Sequence, residues 1–366
     1  MFHLRARRGA PNDAVYRLAA EAAVLDTDDF PGYLARDHNR RLPTRLGIPY
    51  YSVDSSCIVP MSCIEKQEYA ARTIRPKIHK LLPGYLEAAP AVRLRHRFDA
   101  GRLPVPHTHV TPANAAALAA DCEIDASVPA STKFRGGRVE ARRRLKLFLK
   151  QGLRRYAARS REPSANATSR LSPYLHFGHI SALEVAMAVR DYAAANGLIV
   201  DEFFEQLTVR RELAFNFARY GGSPNTLAAL PGWAQRTLAK HKRDRRASVY
   251  GRDQFERAQT HDALWNATQN ELLREGAIHG YYRMYWGKKI LEWSAAPQDA
   301  LDTMIYLNDR YALDGRDPNG YTNILWCLGL HDRPWAERPV FGTIRSMTLQ
   351  GMRRKTDVDA YVQEFS

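Results

Sequence analysis

Trp265–Trp293 reads WNATQNELLREGAIHGYYRMYWGKKILEW, and its reading decides the class of the larger part of the chain. Its second half, RMYWGKKILEW, has the spacing of a helix. That puts Trp286 and Trp293, seven residues apart, on nearly one face, two turns or roughly 10 Å of rise from each other. IYLNDRYALDGRDPNGYTNILW and LGLHDRPW follow, so five of the six tryptophans fall between Trp265 and Trp335, interleaved with Arg283, Asn308, Asp314 and Asp332. An isolated tryptophan pair at this spacing is what a buried helix face uses. Three more tryptophans close by make a file of redox-active rings the sharper reading.

Working outward, long helical patterns broken by glycine and proline dominate beyond Lys133, and no alternating run there reads as a sheet. Before about Leu86 the pattern is α/β. DAVYRLAAEA has helical periodicity, AAVLDTD is a short apolar run ending in acids, and IPYYSVDSSCIVP reads as a strand running into a loop. The stretch from Ala88 to Thr132, rich in Pro, Ala and Thr and including RLPVPHTHVTP, reads as a linker. The expected division is a reduced α/β domain over 1–87, a linker over 88–132 and a helical domain over 133–366. With 366 residues and 45% hydrophobic content, such a chain can bury the cores of two domains. There is no internal repeat.

No run approaches the length of a membrane span, and the start MFHLRARRGAPND lacks the apolar stretch of a secretory signal, so a cytoplasmic protein is expected. Cys57, Cys63, Cys122 and Cys327 show no CxxC spacing and read as reduced, structural thiols, with no metal site expected. Lysine and arginine outnumber the acids 54 to 39, a net charge of +15. Clustered cations gain affinity for a phosphate backbone by releasing its counterions, so the balance points to a polyanionic partner. The cations are grouped, at Arg142–Lys146, Arg154–Arg161, Lys240–Arg246 and Arg345–Lys355.

TSRLSPYLHFG, from Thr168, has the composition of a phosphate cradle at a helix start. Ser172 suits the N-cap and Pro173 the first helical position, leaving free N–H groups and the hydroxyls of Thr168 and Ser169 for an anion. The same pattern also serves plain capping. His176 and His179 lack a third ligand and read as helix packing rather than a metal pair.

These passages, with KQEYAARTIRPKIHKLLPGYL (Lys66–Leu86), SRLSPYLHFGHIS (Ser169–Ser181) and VRRELAFNFARY (Val209–Tyr220), resemble the class II cyclobutane pyrimidine dimer DNA photolyases of the photolyase/cryptochrome family. The resemblance runs, with gaps, from about Phe2 to about Val362. It implies a truncated doubly wound (Rossmann-like) α/β domain followed by a large all-helical domain that binds FAD. The family's first strands and helices are not found ahead of FHLRARRG, so no antenna chromophore is expected; a sheet lacking them has an edge to cover or blunt.

Through the resemblance, Thr168, Ser169, Leu171 and Ser172 hold the FAD diphosphate, Tyr156 lies upstream against the same cofactor, and Asn319 lies toward its adenine end. Arg283 and Asp314 pair beside the flavin ring, where each needs the other because a lone buried charge is costly. Asn308 faces flavin N5, its amide able to donate or accept. Trp286, then Trp265, then Trp293 toward solvent form the photoreduction relay. Met284, Trp326 and Trp335 line the pocket for a dimer swung out of the duplex, with Asp332 and Arg333 in the loop flanking the vacated site. The substrate-facing glutamate is Glu205 or, in the stricter register, is replaced by Gln206. Ser160, Arg161 and Arg170 also depart from the usual pattern.

The expected function is light-driven repair of pyrimidine dimers in UV-damaged DNA by a monomeric, non-membrane lyase, in which reduced FAD donates an electron to the flipped dimer and the protein supplies position and electrostatics. The alternative is a cryptochrome-like photosensory flavoprotein that has lost repair.

Overall fold

The computed structural model of the chain describes residues 2–88, 90, 92–93, 95 and 103–366. Near its beginning it alternates helix and strand: α1 (Ala14–Ala19), β1 (Leu25–Asp28), α2 (Tyr33–Arg41) and β2 (Tyr50–Val53). The strands pair in parallel, Leu25 opposite Tyr50 and Asp28 opposite Val53. A parallel pair needs a crossover of a dozen or more residues, and α2 with its flanking loops supplies it. The result is a small open sheet.

The compact unit around this sheet comprises Met1–Ser55 and Ala88–Ala130, a division different from the one expected. Residues 103–130 do not behave as a free linker. Thr108 N donates to Phe2 O at 2.7 Å, Glu123 N to Ala6 O at 2.7 Å, and a short helix forms there. The expected linker residues 89, 91, 94 and 96–102 lie outside the described residues.

The second unit takes Ser56–Glu87 and Ser131–Ser366. With α3 (Ala71–Tyr85) and, in the first unit, α4 (Ala115–Ala120) counted, its helices continue as α5 (Arg138–Leu147), α6 (Tyr156–Arg159), α7 (Ser172–His176), α8 (Ala182–Asn196), α9 (Asp201–Phe204) and α10 (Arg211–Tyr220). Then come α11 (Gly232–His241), α12 (Arg252–Glu256), α13 (Ala263–Glu275), α14 (Gly280–Trp293), α15 (Pro297–Tyr311), α16 (Pro318–Cys327), α17 (Leu349–Arg353) and α18 (Val358–Phe365). A π-helical stretch, Glu205–Arg210, joins α9 to α10. The chain is thus a small α/β unit plus a large all-helical one, as read from the sequence.

Local chemistry sets the ends of the site-bearing helices. The Asp262 carboxylate accepts from Trp265 N at 3.0 Å to start α13, and Gly276, at φ +74°, ends it. Only glycine adopts that left-handed conformation without a Cβ penalty. Asp317 caps α16 through Asn319 N at 2.8 Å with Pro318 at the first turn. One core gathers α13–α16 and α18 around Trp265, Tyr282, Tyr285, Leu301 and Leu307; a second gathers α5, α8 and the Phe203–Leu207 segment. Residues 56–68 are pinned to α10: Glu212 Oε1 accepts from Ile58 N at 2.7 Å, and the Asn216 amide bonds both Glu68 N and Lys66 O. Among the described residues no helix is long and apolar enough to cross a membrane, and no group of three or more His, Cys, Asp or Glu has a metal-holding arrangement.

Candidate functional site

Within the helical unit, α6, α7, α14 and the start of α16 close on a cavity of ≈ 330 Å³. Its wall brings together Tyr156, Thr168, Ser169, Leu171, Ser172, Arg283, Met284, Asp314 and Asn319, residues spread over more than 160 positions of sequence. A size of a few hundred Å³ with convergent polar groups is that of a small-molecule or cofactor site.

At the cradle, Leu171 occupies the N-cap, Ser172 is the first helical residue and Pro173 the second, which shifts the expected cap by one position. Just ahead of that cap, the Arg170 backbone turns left-handed (φ +52°). The Arg170 side chain lies in the cavity wall and pairs with Glu275 at 3.2 Å, beside Lys133. Among the described residues no side-chain hydrogen bond engages the hydroxyls of Thr168, Ser169 or Ser172. α7 is tied to α16 by His176 Nδ1, 3.1 Å from Asp317 Oδ2, a packing role as expected. Burial drives the Asp317 carboxyl upward, but His176, the Arg211 charge and Asn319 outweigh it and hold the group below the usual carboxylate range.

Arg283 Nη2 and Asp314 Oδ1 meet at 3.3 Å with side chains 16% and 10% exposed, the predicted pair. Their desolvated environment makes each a condition for the other, because removal of one strands a buried charge. Asn308 is buried behind this wall rather than part of it: its amide donates to Asp309 Oδ1 at 3.1 Å and packs against Gly320, where a Cβ would meet Asn308 Nδ2 at 3.1 Å.

Trp286 sits one turn beyond Arg283 on α14, fully inside the core, with its indole N–H donating to Gln269 at 2.9 Å. Trp265 N–H donates to the Trp286 carbonyl at 3.0 Å, and the Trp265 and Trp293 ring centroids are 6.3 Å apart. Trp265 and Trp293 are thus neighbours ring to ring, and Trp265 is tied to Trp286 through the Trp286 backbone carbonyl. Trp293 does not reach solvent as expected: it is 4% exposed, covered by Tyr250 and His261.

Glu205 is not in the cavity wall; Gln206 is. Glu205 instead receives two bonds of 2.9 Å from Arg75 and one of 2.9 Å from Arg210, whose guanidinium lies 5.5 Å from the Trp326 ring. Burial pushes the Glu205 carboxyl up, yet the Arg75 hydrogen bond and the two arginine charges hold it down. Trp335, 38% exposed, lies between the Arg333 and Arg345 guanidiniums, 4.9 and 5.1 Å from its centroid, and donates to Asp332 at 3.2 Å. Trp326, Trp335, Asp332 and Arg333 are outside the cavity wall.

Glu271 and His279 are wall residues that the sequence reading passed over. Burial pushes the Glu271 carboxyl up to about 7, against the pull of the Tyr361 hydroxyl and His279 N–H that bond it. Burial, with the Arg170 charge adding to it, pushes His279 down to about 4, and among the described residues neither ring nitrogen has a partner at hydrogen-bond distance. The one sequence signal was the four-residue spacing of Glu271, Glu275 and His279.

No protein-family profile matches the chain. Whole-protein relatives do. The deoxyribodipyrimidine photo-lyase of Methanothermobacter thermautotrophicus is 40% identical over 362 residues, 97% of this chain and 77% of the relative. The deoxyribodipyrimidine photo-lyase of Oryza sativa subsp. japonica is 42% identical over 328 residues, 86% of this chain and 63% of the relative. That of Potorous tridactylus is 39% identical over 321 residues, and the chain spans 59% of its length. Among solved structures, a class III photolyase from Agrobacterium tumefaciens superposes with a TM-score of 0.64 at 17% identity, covering 97% of this chain and 71% of that one. The Synechocystis sp. PCC6803 cryptochrome gives 0.63 at 16% identity, with 91% and 65% covered, a likeness of fold. At 40% identity along nearly its whole length to a photo-lyase of which it spans three quarters, the chain belongs to the photolyase/cryptochrome family.

Proposed function

We propose that this chain is a class II-type deoxyribodipyrimidine photo-lyase that binds FAD and repairs cyclobutane pyrimidine dimers in UV-damaged DNA under near-ultraviolet or blue light, as a monomer. The observation that carries the reading is the single cavity that gathers the cradle hydroxyls, the Arg283–Asp314 pair and Asn319 from three separate stretches. The cavity fits a flavin dinucleotide chemically. Free hydroxyls at Thr168, Ser169 and Ser172 and the Arg170 cation suit a diphosphate, and the unpartnered His279 nitrogens call for a polar group in the cavity. Bound there, the flavin supplies the photoexcited electron donor for splitting the dimer.

The chain's own part is positional and electrostatic. Arg283 offers a fixed positive charge at the cavity wall, held in place by Asp314. Met284, from the adjoining position of α14, gives an apolar surface at the same wall. Trp286, Trp265 and Trp293 form the relay that reloads the cofactor with electrons. Trp326 and Trp335 offer flat faces for bases, and the basic clusters hold the phosphate backbone.

The photosensory alternative keeps one specific support: Glu205 is engaged by Arg75 and Arg210, and Gln206 takes the place at the cavity. One experiment separates the two. Purified, flavin-loaded chain reduced with dithionite is illuminated with an oligonucleotide holding a single thymine dimer. Restoration of the undamaged bases is the expected result; loaded, photoreducible protein that restores none selects the photosensory reading.

A further inference from the structure

The hairpin over residues 335–343 is fastened to α11 by a histidine whose two ring nitrogens both face carboxylates. The hairpin closes on itself: Trp335 N donates to Thr343 O at 2.8 Å, and Arg338 and Gly342 exchange backbone bonds of 2.9 and 2.8 Å. Its second limb runs into the core, where Val340, Phe341 and Ile344 are buried. Its first limb carries Trp335 and Glu337 at the surface, and there the hold is polar. His241, the last residue of α11, has Nδ1 2.6 Å from Asp244 Oδ2 and Nε2 2.8 Å from Glu337 Oε1. Asp244 also accepts from Val340 N at 2.9 Å, and the Thr237 hydroxyl accepts from Thr343 N at 2.9 Å. Gly342, at φ +54°, passes so close that a Cβ there would meet the imidazole at 2.7 Å.

A neutral imidazole donates from one nitrogen and offers a lone pair at the other, so only the imidazolium satisfies both carboxylates. On the photolyase reading above, we propose that His241, as imidazolium, is a positioning residue: it ties Glu337 to Asp244 and thereby holds Trp335 in place to stack on a base at the dimer. The surrounding charges support that state. Hydrogen bonds to Asp244 and then Glu337 push the His241 pKa above its ordinary 6.5. Lys240, from the same helix, shares Glu337 Oε1 at 2.6 Å, and the Arg246 charge faces Asp244 from the segment after α11. Lys240 does not replace the imidazolium, because both it and Glu337 are exposed and a screened surface pair contributes little. When the ring loses its proton, Asp244 keeps the remaining N–H, since Val340 N and its own backbone bond to His241 O at 3.1 Å fix its position. Glu337 then faces a lone pair and turns to water, which frees the limb that bears Trp335. The clasp is therefore complete at low pH and is lost as pH rises through the raised His241 value.

Two measurements on the full chain test this. The first needs neither flavin nor DNA: an NMR titration of the histidine rings, with His241 assigned by its loss in His241→Gln, should place its pKa above 6.5 and should show it lowered in Glu337→Gln. The second is fluorescence anisotropy of the flavin-loaded chain on dimer-containing and intact duplex. Affinity for the dimer duplex should fall about fivefold as pH rises past the His241 transition, the low end of a lost base stack, with the intact duplex affected less. His241→Gln should bind at the weaker level throughout and lack that step. In a Trp335→Ala background the same substitution should cost nothing further, a non-additivity that a merely structural histidine does not produce. A ring that titrates at or below 6.5, or losses from His241→Gln and Trp335→Ala that add, overturns the assignment. A wild-type chain that binds both duplexes alike refutes the photolyase reading and this role with it, whereas a dimer preference without the His241 step sinks this inference alone.

Discussion

Glu271→Gln should tilt the pH dependence of stability in a direction that its burial dictates. The folded carboxyl is pushed up to about 7 from an ordinary 4.5. Between those values the folded chain keeps a proton that the unfolded chain has released, so wild-type stability falls as pH rises through this window. His279, pushed down to about 4 from 6.5, works oppositely: its folded form lacks a proton that the unfolded form holds, so its share of stability rises over pH 4 to 6.5. In the wild type the two limbs largely cancel. Glutamine keeps the size and the acceptor for Tyr361 but cannot ionise, which leaves the His279 limb alone. Each tenfold difference in proton affinity between the folded and unfolded chain is worth about 1.4 kcal/mol, so the variant should gain about 2.5 kcal/mol on the wild type between pH 5 and pH 8. Urea unfolding followed by tryptophan emission measures it, because five of the six tryptophans lie between Trp265 and Trp335, around Glu271. With slopes of roughly 1–3 kcal/mol per molar urea, the midpoint difference should widen by about 1 to 2.5 M. A difference that stays constant over that pH range would mean that Glu271 titrates as an ordinary surface acid, and the account of the cavity wall as strongly desolvated would be wrong.

Two further outcomes concern the proposed function. Trp286→Phe should abolish photoreduction of the oxidised flavin while leaving repair by chemically prereduced protein largely intact; a prereduced variant as inactive as the oxidised one refutes the relay role. Trp326→Ala should weaken binding to dimer-containing duplex by about 1–3 kcal/mol and leave both the affinity for intact duplex and the salt slope nearly unchanged, since stacking needs an available base and phosphate contacts do not. Fluorescence anisotropy over a salt series reads both, and equal weakening toward the two duplexes would make Trp326 a structural residue.

What could be read in advance follows the range of the forces involved. Helix α14 was legible because the periodicity of RMYWGKKILEW acts within a few residues. The cradle was legible to within one position: the helix begins at Ser172, one residue earlier than the composition of the cap suggested. Glu205 and Gln206 could not be separated, since the stretch Glu205–Arg210 is π-helical and the 3.6-residue period that assigns faces does not apply across it. The partner of Glu205, Arg75, stands 130 residues away, beyond any local signal. Likewise spacing gave the shared face of Trp286 and Trp293 but not the cover over Trp293, which comes from the segment before α13. The stretch 56–87 groups with the helical unit for a similar reason: the loop after β2 looks continuous with it in composition, yet its polar backbone groups find partners on α10.

That last contact imposes a schedule on synthesis. Ile58 and Glu68 leave the ribosome long before Glu212 and Asn216, 154 and 148 residues downstream, which they must bond. At roughly 5–20 residues per second, the early segment waits about 8 to 30 s with its partner unmade. During that interval Ile58, Val59, Met61, Ile64, Ile74 and Ile78, all buried in the finished protein, have nothing to cover them. The nascent chain therefore carries an apolar stretch that invites chaperone capture, and translation speed over residues 69–212 becomes a variable of the folding yield.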